Sequence, residues 1–167
     1  MNTDTLIQNI LTEYAPLLAR VAATFEANAA LQDELIQEMS LAVWRALDGE
    51  GGAKSNGFRG EASMKTYIAR IAHNKAVDHV IKEQKRVEIS SSDNAQYAHA
   101  MASDSCQDQT LDLMAALHKL EVKYRQVMAL QLEGFNQGEI ALTLGLTESA
   151  VTKRASRARE QLASIMK

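Results

Sequence analysis

Apolar residues recur at helical spacing along most of the chain. The pattern predicts helices near residues 5–27, 31–48 and 63–86 and no strands of consequence. Further along, an i, i+4, i+7, i+11, i+15 stripe predicts one core-facing helix that begins at 111 and ends near Gly134. The members of that stripe are Leu113, Leu117, Leu120, Tyr124 and Met128. A second stripe marks the last helix and consists of Val151, Ala155, Ala158, Leu162 and Ile165.

Residues 136–159, NQGEIALTLGLTESAVTKRASRAR, have the pattern of a helix-turn-helix. Asn136 can cap the first helix while Glu139 reaches back to the cap, and Thr147 can cap the second. Gly145 falls in the turn, where a residue without Cβ avoids strain. The crossing of the two helices has a small and a branched residue, Ala141 and Val151. This pattern predicts a unit that binds DNA.

In the second helix of this unit, the residues predicted to pack in the core and those predicted to contact DNA lie on opposite sides. Its apolar stripe lies on one side, and the other side has Ser149, Lys153, Ser156 and Arg157, with Arg154 and Arg159 on the flanks. Hydroxyl, ammonium and guanidinium groups are suited to phosphates and base edges. A solvated basic helix in an ordinary bundle is the plainer interpretation. That interpretation does not explain why the caps and the turn glycine occur at matching offsets.

The composition favours an all-α protein, with 46% hydrophobic residues, 5% aromatic residues and one proline. No run approaches the roughly 18 apolar residues of a membrane span, and the start of the chain, where Asp4 is the first charge, lacks the cationic segment of a signal peptide. We therefore expect a cytoplasmic protein with no direct membrane insertion. Cys106 has no second thiol for a disulfide or a zinc site, and no metal or cofactor site stands out.

Charge is segregated along the chain, although the net charge is only −3. Residues 1–51 have 2 basic and 8 acidic side chains, and residues 87–147 have 3 and 8. Residues 52–86, by contrast, have 8 basic and 3 acidic side chains, and residues 148–167 have 5 and 2. Two basic blocks predict two nucleic-acid contacts, and the acidic blocks predict a protein partner. Chance clustering is the alternative, but the second basic block coincides with the helix-turn-helix.

Residues 88–110 are rich in Ser, Asp, Gln and Asn and contain no Lys or Arg. A segment of this composition cannot bury a core, so we expect a flexible acidic linker. The chain then divides into two small helical domains, residues 1–86 and 111–167, joined by a linker at 87–110.

The helix predicted to follow Ser63, a suitable cap, has a side of mixed chemistry. The residues on that side are Thr66, Tyr67, Arg70, His73 and Asn74. Aromatic rings stack on unpaired bases, at about 1–3 kcal/mol per base, and cations such as Lys65 and Lys75 can follow the backbone. Phe58 and Arg59 lie just upstream. Ordinary core packing explains the rings of Tyr67 and Phe58 equally well.

These segments and their order resemble the bacterial RNA polymerase sigma factors of the extracytoplasmic-function group. Region 2 of that family resembles DELIQEMSLAVWRAL and FRGEASMKTYIARIAHNKAVDHV here, and region 4 resembles LDLMAALHKLEVKYRQVMALQLEGFNQGEIALTLGLTESAVTKRASRAR. The resemblance spans nearly the whole chain, with a variable linker between the regions. It implies an all-α fold, in which region 2 is a bundle of three to four helices and region 4 is a helix-turn-helix domain.

The resemblance also implies roles by position. Core RNA polymerase is the expected partner, through its β′ clamp and β flap, and the implied docking residues are Asp33, Leu35, Gln37 and Glu38. Region 2 would melt and read the minus-10 element as single-stranded DNA with Phe58, Arg59, Ser63, Lys65, Thr66, Tyr67, Arg70, His73 and Asn74. Region 4 would read the minus-35 duplex with Ser149, Ala150, Thr152, Lys153, Arg154 and Arg157.

Positions in both regions depart from the family pattern. Ser149, Ala150 and Thr152 replace a commoner Gly-Thr-Val-Lys-like run, so the resemblance does not supply the minus-35 preference. Tyr67 stands where many members have tryptophan, which makes the stacking surface smaller. Glu121 stands where proline is common, so the start of a region 4 helix is less sharply defined. Gly138 stands where a helix former is usual, at a cost of roughly 1 kcal/mol.

We therefore expect a transcription initiation factor without chemistry of its own, which directs core polymerase to promoters. Many relatives are held inactive by an anti-sigma protein, often one anchored in the inner membrane, so such a protein is a candidate partner. The alternative is a stand-alone helix-turn-helix regulator that acts as a dimer, although it leaves the first domain unexplained. An enzyme is disfavoured because His73, Asp78 and His79 lack metal-ligand spacing.

Overall fold

The computed structural model describes residues 2–48, 63–89 and 108–166, and these ranges contain seven α-helices and no strand. The all-α prediction is confirmed. The helices are α1 (Thr3–Phe25), α2 (Ala29–Asp48), α3 (Met64–Ile89), α4 (Asp108–Lys119), α5 (Val122–Leu132), α6 (Gln137–Leu144) and α7 (Glu148–Ile165). No helix in these ranges is long and apolar enough to cross a membrane.

Helices α1, α2 and α3 pack against one another and form the N-terminal unit. Its core consists mainly of aliphatic side chains with almost no exposure, among them Leu18, Leu35, Met39, Val43 and Ile68. Ser63 caps α3 as predicted, because its Oγ accepts a hydrogen bond from the backbone N of Thr66 at 3.2 Å. The N-terminal unit is thus a three-helix bundle within the described residues.

The prediction of a single helix from 111 to Gly134 is wrong, because the helix is interrupted at Leu120 and Glu121 and gives α4 and α5. The carbonyls freed at the end of α4 are bonded by one guanidinium. Arg125 Nη2 donates to the carbonyls of His118 and Leu120 at 2.8 and 3.0 Å. The predicted apolar stripe survives the break, since Leu117, Leu120, Tyr124 and Met128 still share one cluster.

The helix-turn-helix consists of α6 and α7, and its predicted caps are confirmed. Asn136 Oδ1 accepts from the backbone N of Glu139 at 2.8 Å, and Glu139 Oε1 accepts from the backbone N of Asn136 at 3.0 Å. Thr147 Oγ1 caps α7 by accepting from Ala150 N at 3.1 Å. Gly145 ends α6 with a φ of 69°, in the left-handed region that favours glycine.

The N-terminal unit and the C-terminal unit, α4 to α7, pack together rather than standing apart. One apolar cluster includes Phe25 and Ile68 from the first unit and Leu130 and Phe135 from the second. Polar contacts add to it: His118 Nε2 lies 2.9 Å from the carbonyl of Ala23, across the two units. Charge segregation gave no indication of this packing.

Most of the linker predicted at 87–110 lies outside the described residues. Its two ends are helical: α3 continues to Ile89, and α4 begins at Asp108. The helices on either side therefore extend by up to one turn into the segment that composition marks as polar.

Candidate nucleic-acid interface

Helix α7 presents a polar, cationic face to solvent. Four of the residues predicted to contact DNA are exposed on it, namely Ser149, Thr152, Lys153 and Arg157. Ala150 and Arg154 are half-buried at its edges. Val151, Ala155 and Ala158 are buried on the other side, so packing fixes which face of the helix is available.

The N-termini of α6 and α7 meet in a polar corner. Gln137, the first residue of α6, donates from Nε2 to Thr152 Oγ1 at 2.9 Å. Gly138 lies beside Glu148, and a Cβ on Gly138 would come 3.1 Å from Glu148 Oε1. The Glu148 side chain would have to shift by a few tenths of an ångström to accept a Cβ at this position. Helical spacing within α7 could not have identified Gln137, because it belongs to the other helix.

A second candidate surface lies on α3. Arg70 and Asn74 are exposed, and Tyr67 is half-buried beside them. Residues spaced by three, four and seven positions share one side of a helix, so these three side chains form a continuous patch. Ser63 is exposed at the start of the helix, where it serves as the cap. The patch combines an aromatic ring, a guanidinium and an amide, which suits unpaired bases.

Two residues predicted for this surface are in the core instead. Thr66 is 3% exposed and its Oγ1 lies 3.0 Å from Ser63 Oγ, at the start of the helix. His73 is 1% exposed and packs edge-on against the Phe25 ring, with centroids 5.5 Å apart. Both lie on the side of α3 that carries Ala69 and Ala76, which are also buried. The patch is therefore narrower than the sequence predicts.

Burial sets the protonation state of His73. It lowers the pKa of the imidazole from 6.5 to about 4, because the charged form would lose its hydration. Within the part of the chain that the structure describes, neither ring nitrogen has a hydrogen-bond partner. His73 is thus a neutral packing residue rather than a cation available to a phosphate.

Lys65, predicted to follow the DNA backbone, contacts the C-terminal unit. Its Nζ donates to the carbonyl of Glu133 at 3.3 Å and lies 4.5 Å from the centroid of the Phe135 ring. This cation–π contact holds the start of α3 against the loop before α6. Phe58 and Arg59, also predicted for this surface, lie outside the described residues.

Helix α2 presents the third candidate surface, and this one is acidic. Asp33, Gln37 and Glu38 are exposed along it. Leu35 was predicted to lie with them, but it is 0% exposed and packs in the core of the N-terminal unit. Leu41 is the residue that the prediction missed: it is 49% exposed, four positions after Gln37 on the same face. Helical spacing alone could have identified it as the apolar member of this surface.

None of these surfaces resembles a metal centre. Among the described residues, no group of three or more His, Cys, Asp or Glu side chains is placed to hold a metal ion. His79 and Glu26 come together as a pair only: Nε2 and Oε1 lie 2.8 Å apart, in a hydrogen bond between α3 and the end of α1. What the surfaces offer is binding, by charge, stacking and hydrogen bonding.

Two family descriptions match this chain in the order of its two units. Sigma-70 region 2 matches residues 10–86. Sigma-70, region 4 matches residues 110–162. Together they cover most of the chain, and the second match includes α6 and most of α7.

Individual relatives agree with the family match. The chain is 28% identical over 162 residues to the RNA polymerase sigma factor CarQ of Myxococcus xanthus, covering 95% of this chain and 88% of the relative. It is 27% identical over 151 residues to the ECF RNA polymerase sigma factor SigM of Mycobacterium tuberculosis, covering 89% and 69%. A solved complex of the sigma factor RpoE with the anti-sigma factor NepR from Bartonella quintana has the same fold, with a TM-score of 0.72, 19% identity and 95% of each chain covered.

Proposed function

The chain belongs to the sigma-70 family of RNA polymerase sigma factors, in the extracytoplasmic-function group, and on that premise we propose which of its surfaces binds core polymerase and which bind promoter DNA. Residues 1–86 dock on core polymerase and read the minus-10 element. Residues 111–167 read the minus-35 element, and 87–110 link the two. The observation that carries this proposal is a pair of separate DNA-suited faces, on α3 and α7, in one chain with an acidic helix for a protein partner.

The acidic face of α2 is the proposed docking surface for the polymerase β′ clamp. Asp33, Gln37 and Glu38 supply charge and hydrogen-bonding groups, which favour encounter and orientation. Leu41 adds exposed apolar area at the end of this row of polar side chains. A small apolar contact beside polar groups is the usual anatomy of a specific interface.

The patch on α3 is the proposed site for the melted minus-10 strand. A base drawn out of the duplex can stack on Tyr67, while Arg70 and Asn74 offer hydrogen-bond donors along the same helix face. Phe58 and Arg59 belong to this proposal by resemblance. Thr66 and His73 contribute indirectly, because their packing fixes the helix that presents the patch.

The exposed face of α7 is the proposed reader of minus-35 duplex DNA. The N-terminal residues of a recognition helix reach base edges in the major groove, and cations further along contact phosphates. Thr152 and Lys153 lie early in α7, and Arg157 lies one turn later. Their exposure and the burial of the opposite stripe leave this face free for DNA.

Reading both elements requires the two units to separate. The minus-10 and minus-35 elements lie about 25 base pairs apart, or roughly 85 Å of B-form DNA. Here α3 packs on α6, and α6 packs on α7. The axes of packed helices are only about 8–10 Å apart, so the two DNA-suited faces are too close to span that distance. We infer that core polymerase binds a form in which the contacts between the units are released.

The chain has no catalytic activity in this proposal, because the polymerase forms every bond. It acts in the cytoplasm, where the polymerase works. Because the relative from Bartonella quintana was solved with an anti-sigma factor, we include an anti-sigma factor among the proposed partners; the resemblance implies that such proteins are often anchored in the inner membrane. Such a partner would act by keeping the two units closed.

Promoter melting provides the test of this function. Genomic fragments retained by core polymerase with this chain would be probed with permanganate, which oxidises unpaired thymines. The proposal predicts reactive thymines upstream of the start site only when both proteins are present. Duplex binding by the chain alone, with no melting on addition of polymerase, would favour the dimeric regulator and contradict the proposal.

A further inference from the structure

Two hydrogen bonds converge on one hydroxyl group at the start of α7. Gln137 Nε2 donates to Thr152 Oγ1 at 2.9 Å. The same Oγ1 donates to the carbonyl of Glu148, one turn earlier in α7, at 3.0 Å. Thr152 is nevertheless exposed, on the face that we assign to DNA. Gln137 is exposed too, and it belongs to the other helix of the helix-turn-helix.

These bonds determine what the Thr152 hydroxyl has left for a ligand. A hydroxyl group has one proton and two lone pairs. The proton goes to the carbonyl of Glu148, and the Gln137 amide occupies one lone pair. One lone pair remains, so the group can only accept a hydrogen bond. A threonine without such partners could present its hydroxyl to a base either as donor or as acceptor.

The four bases differ at the atoms that such a group would meet. In the major groove, adenine N6 and cytosine N4 are amino donors, whereas guanine O6 and thymine O4 are acceptors. A hydroxyl fixed as an acceptor pairs with the amino bases. It meets the keto bases with two acceptors facing each other, which leaves a desolvated lone pair without a partner.

We propose that Gln137 is a specificity-determining residue of minus-35 recognition, which acts by holding the Thr152 side chain in the rotamer whose hydroxyl donates to Glu148 and is thereby left as an acceptor. At the one position that Thr152 contacts, the chain then prefers adenine or cytosine over guanine or thymine. This inference rests on the proposed function, because it requires α7 to enter the major groove at a promoter. It goes further by stating which chemical class of base is selected and which residue outside α7 selects it.

Contacts at the corner between α6 and α7 hold Gln137 close to Thr152. Asn136 and Glu139, one position before Gln137 and two positions after it, fix the start of α6 through the reciprocal capping bonds. The Glu148 carboxylate lies beside Gly138, at the start of α6. The backbone on both sides of Gln137 is therefore fixed. Less conformational freedom is lost when the Gln137 side chain bonds Thr152.

The test is a selection with the full chain and core polymerase on promoters whose minus-35 element is randomised, read by sequencing the transcripts. For the wild-type chain we expect one position with a roughly five- to tenfold preference for adenine and cytosine, the size of one hydrogen bond. Gln137→Ala releases Thr152 to its other helical rotamer, in which the hydroxyl leaves Glu148 and can donate or accept, so this preference should fall below about twofold while the other positions keep theirs. Thr152→Val, which keeps the side-chain shape, should have the same effect, and the double variant should change nothing more.

The matched control is Gln161→Ala, which removes an exposed glutamine from the later part of α7 and should leave every position unchanged. A Gln137→Ala chain with the wild-type preference at every position would overturn the inference. An equal loss at all positions would overturn it too, since that pattern means general misplacement of α7. A wild-type chain that starts no transcripts would overturn the proposed function and this inference with it, whereas an unchanged motif in Gln137→Ala overturns the inference alone.

Discussion

Arg20 in α1 and Glu133, just after α5, form a two-pronged ion pair between the two units. Arg20 Nη2 donates to Glu133 Oε2 at 2.9 Å, and Arg20 Nε donates to Glu133 Oε1. The hydrogen bond to Glu133 raises the pKa of Arg20, which stays cationic. The carbonyl of Glu133 also accepts from Lys65. One residue of the C-terminal unit thus joins two helices of the N-terminal unit, and we expect these contacts to break when polymerase binds.

Breaking the ion pair should favour the open form by a small amount. The Arg20 side chain is 59% exposed, and exposed pairs contribute about 0–1 kcal/mol, so Glu133→Gln should raise the open population by no more than about fivefold. Energy transfer between dyes on the two units would measure this, and added salt should have the same effect on the wild type. Glu121→Gln removes the pair with Lys123 inside the C-terminal unit and should not change the transfer. Equal effects of the two variants would contradict the assignment.

The stability of the fold should fall as the pH falls from 6.5 towards 4, in part because of His73. Its pKa is about 4 in the folded state and 6.5 when exposed, so in this range the unfolded chain binds a proton that the folded chain does not. The full difference corresponds to about 3 kcal/mol. Carboxylates titrate in this range as well. The measurement therefore compares the free energy of unfolding in urea of the wild type and of His73→Leu at several pH values.

The His73→Leu variant should be as stable as the wild type at pH 7 or more so, because an apolar side chain replaces two buried nitrogen atoms. Below pH 6.5 it should lose less stability than the wild type. If the two proteins have parallel pH profiles, His73 is not a buried neutral group.

Arg157→Ala should weaken binding to minus-35 duplex and leave polymerase binding intact. The expected loss is about 1–3 kcal/mol if the guanidinium contacts a base edge, and a uniform loss with a smaller salt dependence if it contacts a phosphate. Titration of labelled promoter DNA at several salt concentrations distinguishes the two cases. Lys119→Ala, an exposed cation on α4, is the control. An equal loss of polymerase binding would count against the role of α7.

The docking proposal predicts that Gln37→Ala combined with Glu38→Ala weakens binding to core polymerase. Leu41→Ala alone should do the same, because it removes exposed apolar area that the free protein does not use in its core. Fluorescence anisotropy of the labelled chain with core polymerase measures both. Glu160→Ala, an exposed acid on α7, controls for charge. Unchanged affinity in both docking variants would remove α2 from this role.

Local features were predictable because neighbouring residues determine them. The caps at Asn136 and Thr147 and the left-handed Gly145 follow from chemistry within four residues of each position. The burial of Leu35 was also predictable, because Leu35, Met39 and Val43 form an apolar stripe at i, i+4 and i+8 of α2 and all three are buried. The burial of His73 was not predictable, because a polar side chain among small residues is buried only if another helix packs on it. For His73 the packing partner is Phe25, which belongs to another helix.

Two larger features also depend on distant partners. The break at Leu120 and Glu121 interrupts an apolar stripe that continues across it, so periodicity alone predicts one helix. Arg125 stabilises the break by binding the carbonyls at the end of α4. The packing of the two units rests on contacts such as Arg20 with Glu133, which are 113 positions apart in the sequence. No local pattern indicates contacts of that kind.

The most direct test of the central claim is to add the purified chain to sigma-free core RNA polymerase and sequence the 5′ ends of transcripts made on genomic fragments. The account predicts discrete start sites preceded by two shared motifs at constant spacing, and the loss of the upstream motif with Arg157→Ala. Transcripts at random positions, or no stimulation above core polymerase alone, would contradict it.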